Sequence, residues 1–334
     1  MGILFLGYIH SFRALAILFI VAGHCIDAFV WDGAEDLERG LRIVISNGSV
    51  LFVFIAGYLF QHLSHKFETK KYYSSKLKNV ITPYIIVSIP AIIVFVTIMQ
   101  RDSVWQGFYD HSVLSQVLLF YVTGKHLAPL WFVPMIFIFY LIGPLLVYAD
   151  SKKVFYFAMP LFILLSCMVS RGYPHQSFIH FLSVYLMGML CSRYKEQINN
   201  ILKNWIVLSI TLAAVISLAL YEYGAMHHTM ISHINYAQKM FMALFFLGGL
   251  IRLSTRIDYK FIGIIADTSF GVFFIHSYVL TGSKMLYERA NGGLPTGNAI
   301  YHILVSITVL LLCSALIVLA QKTFGKKSRL LVGS

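Results

Sequence analysis

Two residues that could do chemistry, Arg13 and His24, lie inside the apolar run FRALAILFIVAGHC at residues 12–25. A guanidinium binds anions through directed hydrogen bonds, and an imidazole can take up or release a proton near neutral pH. With its flanks, the run is long enough to cross a bilayer, where an arginine near the middle of a helix costs about 2.5–3.5 kcal/mol. Such a cost implies a compensating contact or a function.

A helix through this run would place its polar residues on one face. At about 100° per residue, the positions of Arg13 and His24 leave the two side chains roughly 20° apart around the helix and about 16 Å apart along its axis. His10 and Asp27 fall within the same sector. In one interpretation, Arg13 reaches the cytoplasmic headgroups and His24 is a packing residue. In the other, the stripe lines the interior of a helical bundle or a water-filled path.

The composition favours a helical membrane protein. Of the 334 residues, 58% are hydrophobic and only 12% are charged, whereas soluble domains average about 25% charged residues. Repeated apolar runs of about 20 residues match the thickness of a bilayer. The net charge of +12 would suggest a nucleic-acid partner in a soluble protein. In a membrane protein its meaning depends on where the charges lie, and we expect no nucleic-acid binding.

Ten apolar segments predict an all-α, polytopic integral membrane protein with about ten transmembrane helices. They cover residues 9–30, 41–62, 80–99, 129–148, 153–170, 176–191, 203–221, 236–253, 261–282 and 298–321. A further apolar run at 113–122 is too short to span, and we expect an interfacial or re-entrant helix there. No loop is long enough to fold alone. We therefore expect a single membrane domain over residues 1–334 with no appended soluble domain.

Loop charges predict the orientation of the chain. Every second loop is rich in Lys and Arg, beginning with residues 63–79, and the C-terminal tail is basic as well. The first loop, WDGAEDLERG at 31–40, is acidic instead. Positively charged loops stay on the cytoplasmic side of a membrane. Both termini are therefore expected in the cytoplasm, with the His24 end of the first segment toward the outside.

Cysteine and histidine spacing gives no metal site. The four cysteines lie in or beside apolar runs without paired spacing, as small packing residues do. His227, His228 and His233 cluster in an outward loop, but their spacing matches no standard zinc motif. We therefore expect no metal cofactor.

Five stretches, in order, resemble the motifs of the acyltransferase 3 family of bacterial membrane acyltransferases. They are SFRALAILFIVAGH at 11–24, VLFVFIAGYLF at 50–60, LKNVITPY at 77–84, PLWFVPMIFIFYLIGPLL at 129–146 and TSFGVFFIHSYVL at 268–280. In the family, a basic residue precedes a histidine by ten intervening positions, as Arg13 precedes His24 here. The chain departs from the motifs at Ala56, where serine is usual, at Asn79, which interrupts an arginine pair, and at Phe273, where tyrosine is usual.

The resemblance implies an O-acyltransferase. Family members move an acyl group, usually acetyl, from a cytoplasmic coenzyme A thioester to a hydroxyl, commonly on a sugar of a surface polysaccharide or its lipid-linked precursor. Acetyl-CoA would be the co-substrate, and Arg13 would contact its phosphates, with Lys76 and Lys78 as secondary attraction. His24 would act as the general base at the acceptor hydroxyl.

Four further residues are candidates for the same site. Asp27 either orients the His24 ring or is an outer-surface residue. His276 and Ser269 are seven residues apart and share a helix face. His276 is therefore a candidate catalytic residue, with a structural hydrogen bond as its alternative, and Ser269 is a candidate substrate contact. Trp131 is either an aromatic platform for a sugar or a membrane-interface residue.

The resemblance also implies a location and competing functions. We expect a multi-pass protein of the bacterial cytoplasmic (inner) membrane, with acyl-CoA, a saccharide acceptor and membrane lipids as partners. A glycan or glycolipid transporter or flippase is the main alternative, because the same polar stripe would serve as a path. The sequence shows no internal repeat of the kind many transporters have. A non-catalytic assembly subunit would have no use for the polar stripe.

Overall fold

A computed structural model describes residues 6–225, 232–254, 256 and 259–334, and these residues form an all-α fold. Its helices are α1 (Gly7–Cys25), α2 (Glu35–Ile45), α3 (Ser49–His62), α4 (Thr69–Lys76), α5 (Thr82–Thr97), α6 (Val113–Thr123), α7 (Phe132–Leu141), α8 (Gly143–Ser151), α9 (Met159–Met168), α10 (Pro174–Arg193), α11 (Lys195–Leu202), α12 (Trp205–Ala225), α13 (Ser232–Leu253), α14 (Tyr259–Asn291), α15 (Ala299–Phe324) and α16 (Ser328–Val332). The only β pairing in the described ranges is an isolated bridge between Val30 and Thr296. The predicted all-α class is confirmed.

Seven helical stretches in the described part of the chain are long and apolar enough to cross a membrane. They are α1, α2 with α3, α4 with α5, α12, α13, α14, and α15 with α16. Helices α7 and α8 add an eighth if they form one span, although they are bent by 55° where they meet. The chain is thus a multi-pass membrane protein. The predicted count of about ten is not confirmed, and the orientation of the termini and the single-domain organisation stay predictions.

The difference from ten lies in the segments predicted at 153–170 and 176–191. Helix α9 has only ten residues. Helix α10 has 20 residues, but buried polar side chains such as His180 and Ser183 lie along it. It packs tightly against α3, because a Cβ added at Gly57 or at Gly188 would overlap the backbone of the other helix. Helix α10 is therefore an interior helix of the bundle.

Helix α1 is enclosed by other helices. It packs against α3, α13, α14 and α15, and Phe12, Ile17 and Val21 on it are fully buried. Its polar residues therefore face protein rather than lipid. This arrangement favours the interpretation in which the stripe lines the interior of the bundle.

The end of the chain returns to α14 beside α1. Helix α14 has 33 residues, and α16 packs against α14, α15 and α5. The backbone N–H of Gly271 donates a hydrogen bond to Ser334 Oγ at 2.9 Å. The C-terminal tail thus lies on the part of α14 that carries Ser269.

The short helix predicted at 113–122 is present as α6. Ser112 Oγ accepts a hydrogen bond from the Ser115 N–H at its start, and Gly124 ends it with a φ of 68°. Phe108, Phe120 and Ile92 form a small apolar cluster that holds α6 against α5. With 11 residues, α6 is too short to cross a bilayer.

Candidate functional site

Two polar pairs join α1 to α14. Arg13 Nη2 donates a hydrogen bond to Ser269 Oγ at 3.1 Å. Further along both helices, the ring centroids of His24 and His276 lie 5.3 Å apart. Periodicity predicts that Arg13 and His24 share one face of α1 and that Ser269 and His276 share one face of α14. The structure places these two faces against each other.

The His24 ring lines a small cavity, here called the His24 cavity, of about 210 Å³. The polar or aromatic side chains that line it besides His24 are Phe19, Asp27, Arg42, Ser46, Asn47, Ser49, Trp131, Phe132, Arg171 and Phe273. His24 is half-buried, and none of the described residues hydrogen-bonds to its ring. The imidazole is therefore available to a hydroxyl bound in the cavity.

His276 supports the His24 ring from α14. It is fully buried, and its Nδ1 lies 3.0 Å from the carbonyl oxygen of Val272. Because a carbonyl can only accept, Nδ1 carries the proton and Nε2 of the neutral ring is an acceptor. Nε2 has no hydrogen-bond partner among the described residues. A buried acceptor without a partner beside a second imidazole can receive a hydrogen bond or a proton from it.

Asp27 has a partner other than His24. Its Oδ1 lies 2.7 Å from Arg42 Nη2, and Lys284 Nζ donates to its backbone carbonyl at 2.5 Å. Asp27 does line the His24 cavity, and its carboxylate is 58% exposed. The pairing is an exposed ion pair at the edge of the cavity, and the role of Asp27 in orienting His24 stays a prediction.

The guanidinium of Arg13 lines a larger cavity of about 580 Å³, here called the Arg13 cavity. The other basic side chains that line it are Lys66, Lys71, Lys76 and Arg329. Ser269 and Tyr140 contribute polar groups to the same wall. Several cations around one cavity suit a ligand that carries more than one phosphate.

The two predicted lysines are placed differently. Lys76 Nζ lies 4.6 Å from the centre of the Tyr140 ring and 5.3 Å from that of Tyr72, so aromatic faces hold the ammonium at the wall of the Arg13 cavity. Lys78 is exposed and is not among the residues that line that cavity. The structure therefore groups Arg13 with Lys76 and leaves Lys78 outside.

A pair of phenylalanines separates the two cavities. Phe132 lines both of them, and Phe273 lines the His24 cavity. The centroids of these two rings lie 5.4 Å apart. A group that passes from one cavity to the other along this wall therefore moves past Phe132.

Trp131 lines the His24 cavity with part of its surface already covered. The Phe181 ring stacks with it at 5.8 Å, and the guanidinium carbon of Arg171 lies 4.5 Å from its centre. The Trp131 side chain therefore positions Arg171 at the cavity. Whether a sugar also stacks on Trp131 stays a prediction.

Sequence reasoning did not find Arg171 or Arg329 as site residues. Arg329 is a basic residue of the C-terminal tail, where its charge bears on the predicted orientation of the chain. Arg171 lies in a short loop between apolar segments and belongs to no motif. The signal that could have found Arg171 is its charge, because an arginine in a loop predicted to face outward opposes the usual distribution.

The structure identifies no metal site in its described part. Among those residues, no three His, Cys, Asp or Glu side chains are grouped so that they could hold an ion. Two members of the histidine cluster singled out in the sequence, His227 and His228, lie outside the described residues.

Fold and site together define a class: a multi-pass helical membrane protein whose central helix carries an arginine and a histidine, each facing its own cavity. A family model described as an acyltransferase domain, Acyl_transf_3, matches residues 6–319. The chain therefore belongs to the acyltransferase 3 family, which confirms the resemblance seen in its motifs. No curated protein and no solved structure gives a significant match. Family membership implies that the protein is an acyltransferase.

Proposed function

We propose that this acyltransferase moves an acyl group, most simply acetyl, from cytoplasmic acetyl-CoA to a hydroxyl of a surface polysaccharide or its lipid-linked precursor. The site would lie in the cytoplasmic membrane of a bacterium. The observation that carries the proposal is the pair of contacts between α1 and α14, with a guanidinium at one level and two imidazoles at the other. The Arg13 cavity would hold the donor, and the His24 cavity would hold the reacting groups.

The chemistry requires one base at the His24 cavity. His24 would take the proton from the acceptor hydroxyl as its oxygen attacks the thioester carbonyl. The new carbon–oxygen bond forms, the carbon–sulfur bond breaks, and the leaving thiolate takes the proton back from His24. His276, with Nε2 as an acceptor, would receive the other N–H of the His24 ring and hold the ring in place.

The donor site would rest on charge and shape. Arg13 would bind phosphate oxygens of coenzyme A, while its hydrogen bond to Ser269 fixes the direction of the guanidinium. Lys76 and Arg329 would add positive charge at the same wall. The slender thioester arm could then pass Phe132 and bring the acyl carbon to His24.

The decisive experiment uses purified protein in vesicles in one orientation, with radiolabelled acetyl-CoA on one side and a saccharide acceptor on the other. Label should enter the acceptor with native protein and should not do so with His24→Ala. Transfer only when both substrates are on the cytoplasmic face would refute the two-sided site and leave acyl transfer standing.

The transporter alternative predicts a different result in cells. If the protein is an acyltransferase, mass spectrometry of the surface polysaccharide with and without this protein should show a change of one acyl group per repeat. Loss of the whole polymer, with the repeat mass unchanged in what remains, would favour transport instead.

A further inference from the structure

A third cavity adjoins the His24 cavity. It has a volume of about 500 Å³, and we call it the Lys125 cavity. It shares Asn47, Trp131 and Arg171 with the His24 cavity. Its remaining lining residues are Arg101, Ser103, Gly124, Lys125, Leu127, Ala128, Gly172 and Ser177. Because the two cavities share a wall, a ligand in the Lys125 cavity can extend a group toward His24.

The charged side chains that line the Lys125 cavity are all positive. Arg101, Lys125 and Arg171 all line it, and no Asp or Glu does. None of these three cations forms a salt bridge within the described part of the chain. Asp102, next to Arg101 in sequence, is exposed and lines none of the three cavities. The cavity therefore presents positive charge that the described residues do not neutralise.

Arg171 is held in a fixed position. Its Nη1 donates to Asn47 Oδ1, while its guanidinium lies over the ring of Trp131 at 4.5 Å. Asn47 Nδ2 in turn donates to Asn235 Oδ1 at 2.6 Å, and Asn235 is fully buried. Arg171 is accessible to water at the cavity wall, but the surrounding protein desolvates the guanidinium and lowers its pKa to about 10. It stays charged at neutral pH.

The backbone at Asn47 is part of this arrangement. Asn47 has a φ of 62°, the only positive φ of a non-glycine residue among the described ones. Asparagine tolerates this conformation better than most residues do, yet it remains sparsely populated. The conformation lies at the break between α2 and α3, and it turns the amide toward both Arg171 and Asn235.

Lys125 and Arg101 are held by aromatic rings. Lys125 Nζ lies 5.1 Å from the centre of the Tyr173 ring and 5.4 Å from that of Trp105. The Arg101 guanidinium carbon lies 5.0 Å from the Phe95 ring. Ring faces attract cations without neutralising them, so both charges remain available to an anion.

We propose that the Lys125 cavity binds an anionic group, a carboxylate or a phosphate ester, on the saccharide acceptor. The proposal rests on the proposed function and names the class of its acceptor. The anion would sit between Arg171 and Lys125, where the guanidinium fork can hold two of its oxygens. A hydroxyl on the same or the next sugar would then lie in the His24 cavity. Positive charge is otherwise disfavoured in loops predicted to face outward. Binding of an anionic acceptor would explain why Arg101, Lys125 and Arg171 lie in such loops.

The test measures binding without transfer. His24→Ala protein in nanodiscs of zwitterionic lipid is titrated, without donor, with three probes: a glucose tetramer, the matching glucuronic acid tetramer, and the glucose tetramer carrying one phosphate ester. At least one anionic probe should bind ten times or more tightly than the neutral tetramer. The preference should shrink at high salt. Comparing the two anionic probes distinguishes a carboxylate from a phosphate acceptor.

Variants locate the binding site. Arg171→Gln and Lys125→Gln should each reduce the anionic preference at least fivefold, whereas Arg289→Gln, an exposed cation that lines none of the three cavities, should leave it unchanged. If Arg171→Gln fails to fold, Lys125→Gln alone decides, because Lys125 makes no side-chain hydrogen bond among the described residues.

Three outcomes would overturn the proposal. They are equal affinity for neutral and anionic tetramers, an anionic preference that survives Lys125→Gln, and, in a parallel titration with phosphatidylglycerol, saturable binding of that lipid with no gain for the anionic tetramers. Failure of the proposed function looks different. In that case anionic binding would persist while native protein transfers no acyl group to any of the three probes.

Discussion

The Arg13 cavity and the Lys125 cavity both present several cations, but they hold them in different ways. In the Arg13 cavity, Arg13 is fixed by Ser269, while Lys71 pairs with the exposed Glu68 and Arg329 is exposed on the tail. In the Lys125 cavity, Arg171 is fixed by both an amide and an indole ring.

This difference suggests two kinds of recognition. A long ligand with several phosphates can be met by lysines and arginines that adjust to it, with Arg13 as the one directed contact. A hydroxyl that must reach His24 needs an acceptor held in one orientation, because misplacement by about 1 Å can cost a hundredfold in rate. The following variants test this division of roles, beginning with the largest expected effect.

His24→Ala removes the proposed general base of the transfer reaction. We expect the transfer rate to fall at least about a hundredfold, because general base catalysis contributes 10²–10⁴-fold. The measurement is label transfer from acetyl-CoA by purified protein, with His65→Ala, an exposed histidine, as the matched control. Activity near that of the native protein would remove His24 from the chemistry.

Arg13→Ala tests the directed contact of the Arg13 cavity. Loss of a charge-assisted phosphate contact should weaken coenzyme A binding by about 1.5–3 kcal/mol, or roughly ten- to a hundredfold. Calorimetric titration with coenzyme A measures this, and affinity for the saccharide should not change. Unchanged coenzyme A binding would show that Arg13 serves only its hydrogen bond to Ser269.

His276→Phe tests whether the second imidazole positions the first. Loss of the hydrogen bond that the proposed mechanism assigns to the His24 ring, about 0.5–1.5 kcal/mol, predicts a two- to tenfold lower kcat. KM for acetyl-CoA should stay the same, because His276 lies at the level of His24 rather than of Arg13. A two- to tenfold rise in KM for acetyl-CoA with no change in kcat would assign His276 to substrate binding instead.

Lys76→Gln and Lys78→Gln form a matched pair within one segment. Lys76 lines the Arg13 cavity and Lys78 does not, so only Lys76→Gln should weaken coenzyme A binding. A partly solvated ion pair with a phosphate contributes up to about 1 kcal/mol, which corresponds to a change of roughly fivefold or less. Equal losses in both variants would indicate a general electrostatic effect of the segment.

Asp27→Asn should have the smallest effect. Its carboxylate is mostly exposed and pairs with Arg42, and exposed ion pairs contribute about 0–1 kcal/mol. We expect thermal unfolding and the transfer rate to change little. A loss of rate comparable to that of His24→Ala would establish Asp27 as the group that orients the imidazole.

Helix periodicity was sufficient to predict which side chains of the candidate site share a helix face. The positions of Arg13 and His24 place them on one side of α1 whatever surrounds that helix, and the same holds for Ser269 and His276 on α14. The order of the five motifs identified the family. Which face of α14 meets α1 followed from the resemblance and not from the residues alone.

Other features could not be predicted, because they depend on contacts distant in sequence. Hydropathy does not distinguish burial in protein from contact with lipid, so the sequence could not predict that α10 lies in the interior of the bundle. The break between α7 and α8 needs Pro144 at the start of α8, and it also involves Tyr72, which crowds Gly143. Arg171 reaches the site only because Asn47 and Trp131, both far away in sequence, hold it there.

The two contacts between α1 and α14 also limit how these helices can move. A slide of α14 along α1 by a single residue is a translation of about 1.5 Å. That displacement would take the 3.1 Å hydrogen bond between Arg13 and Ser269 beyond the usual limit of about 3.2 Å for such bonds. The same slide would shift His276 relative to His24. A slide of α14 along α1 therefore changes both contacts together. A ligand that stabilises the contact between Arg13 and Ser269 also fixes the position of His276 relative to His24.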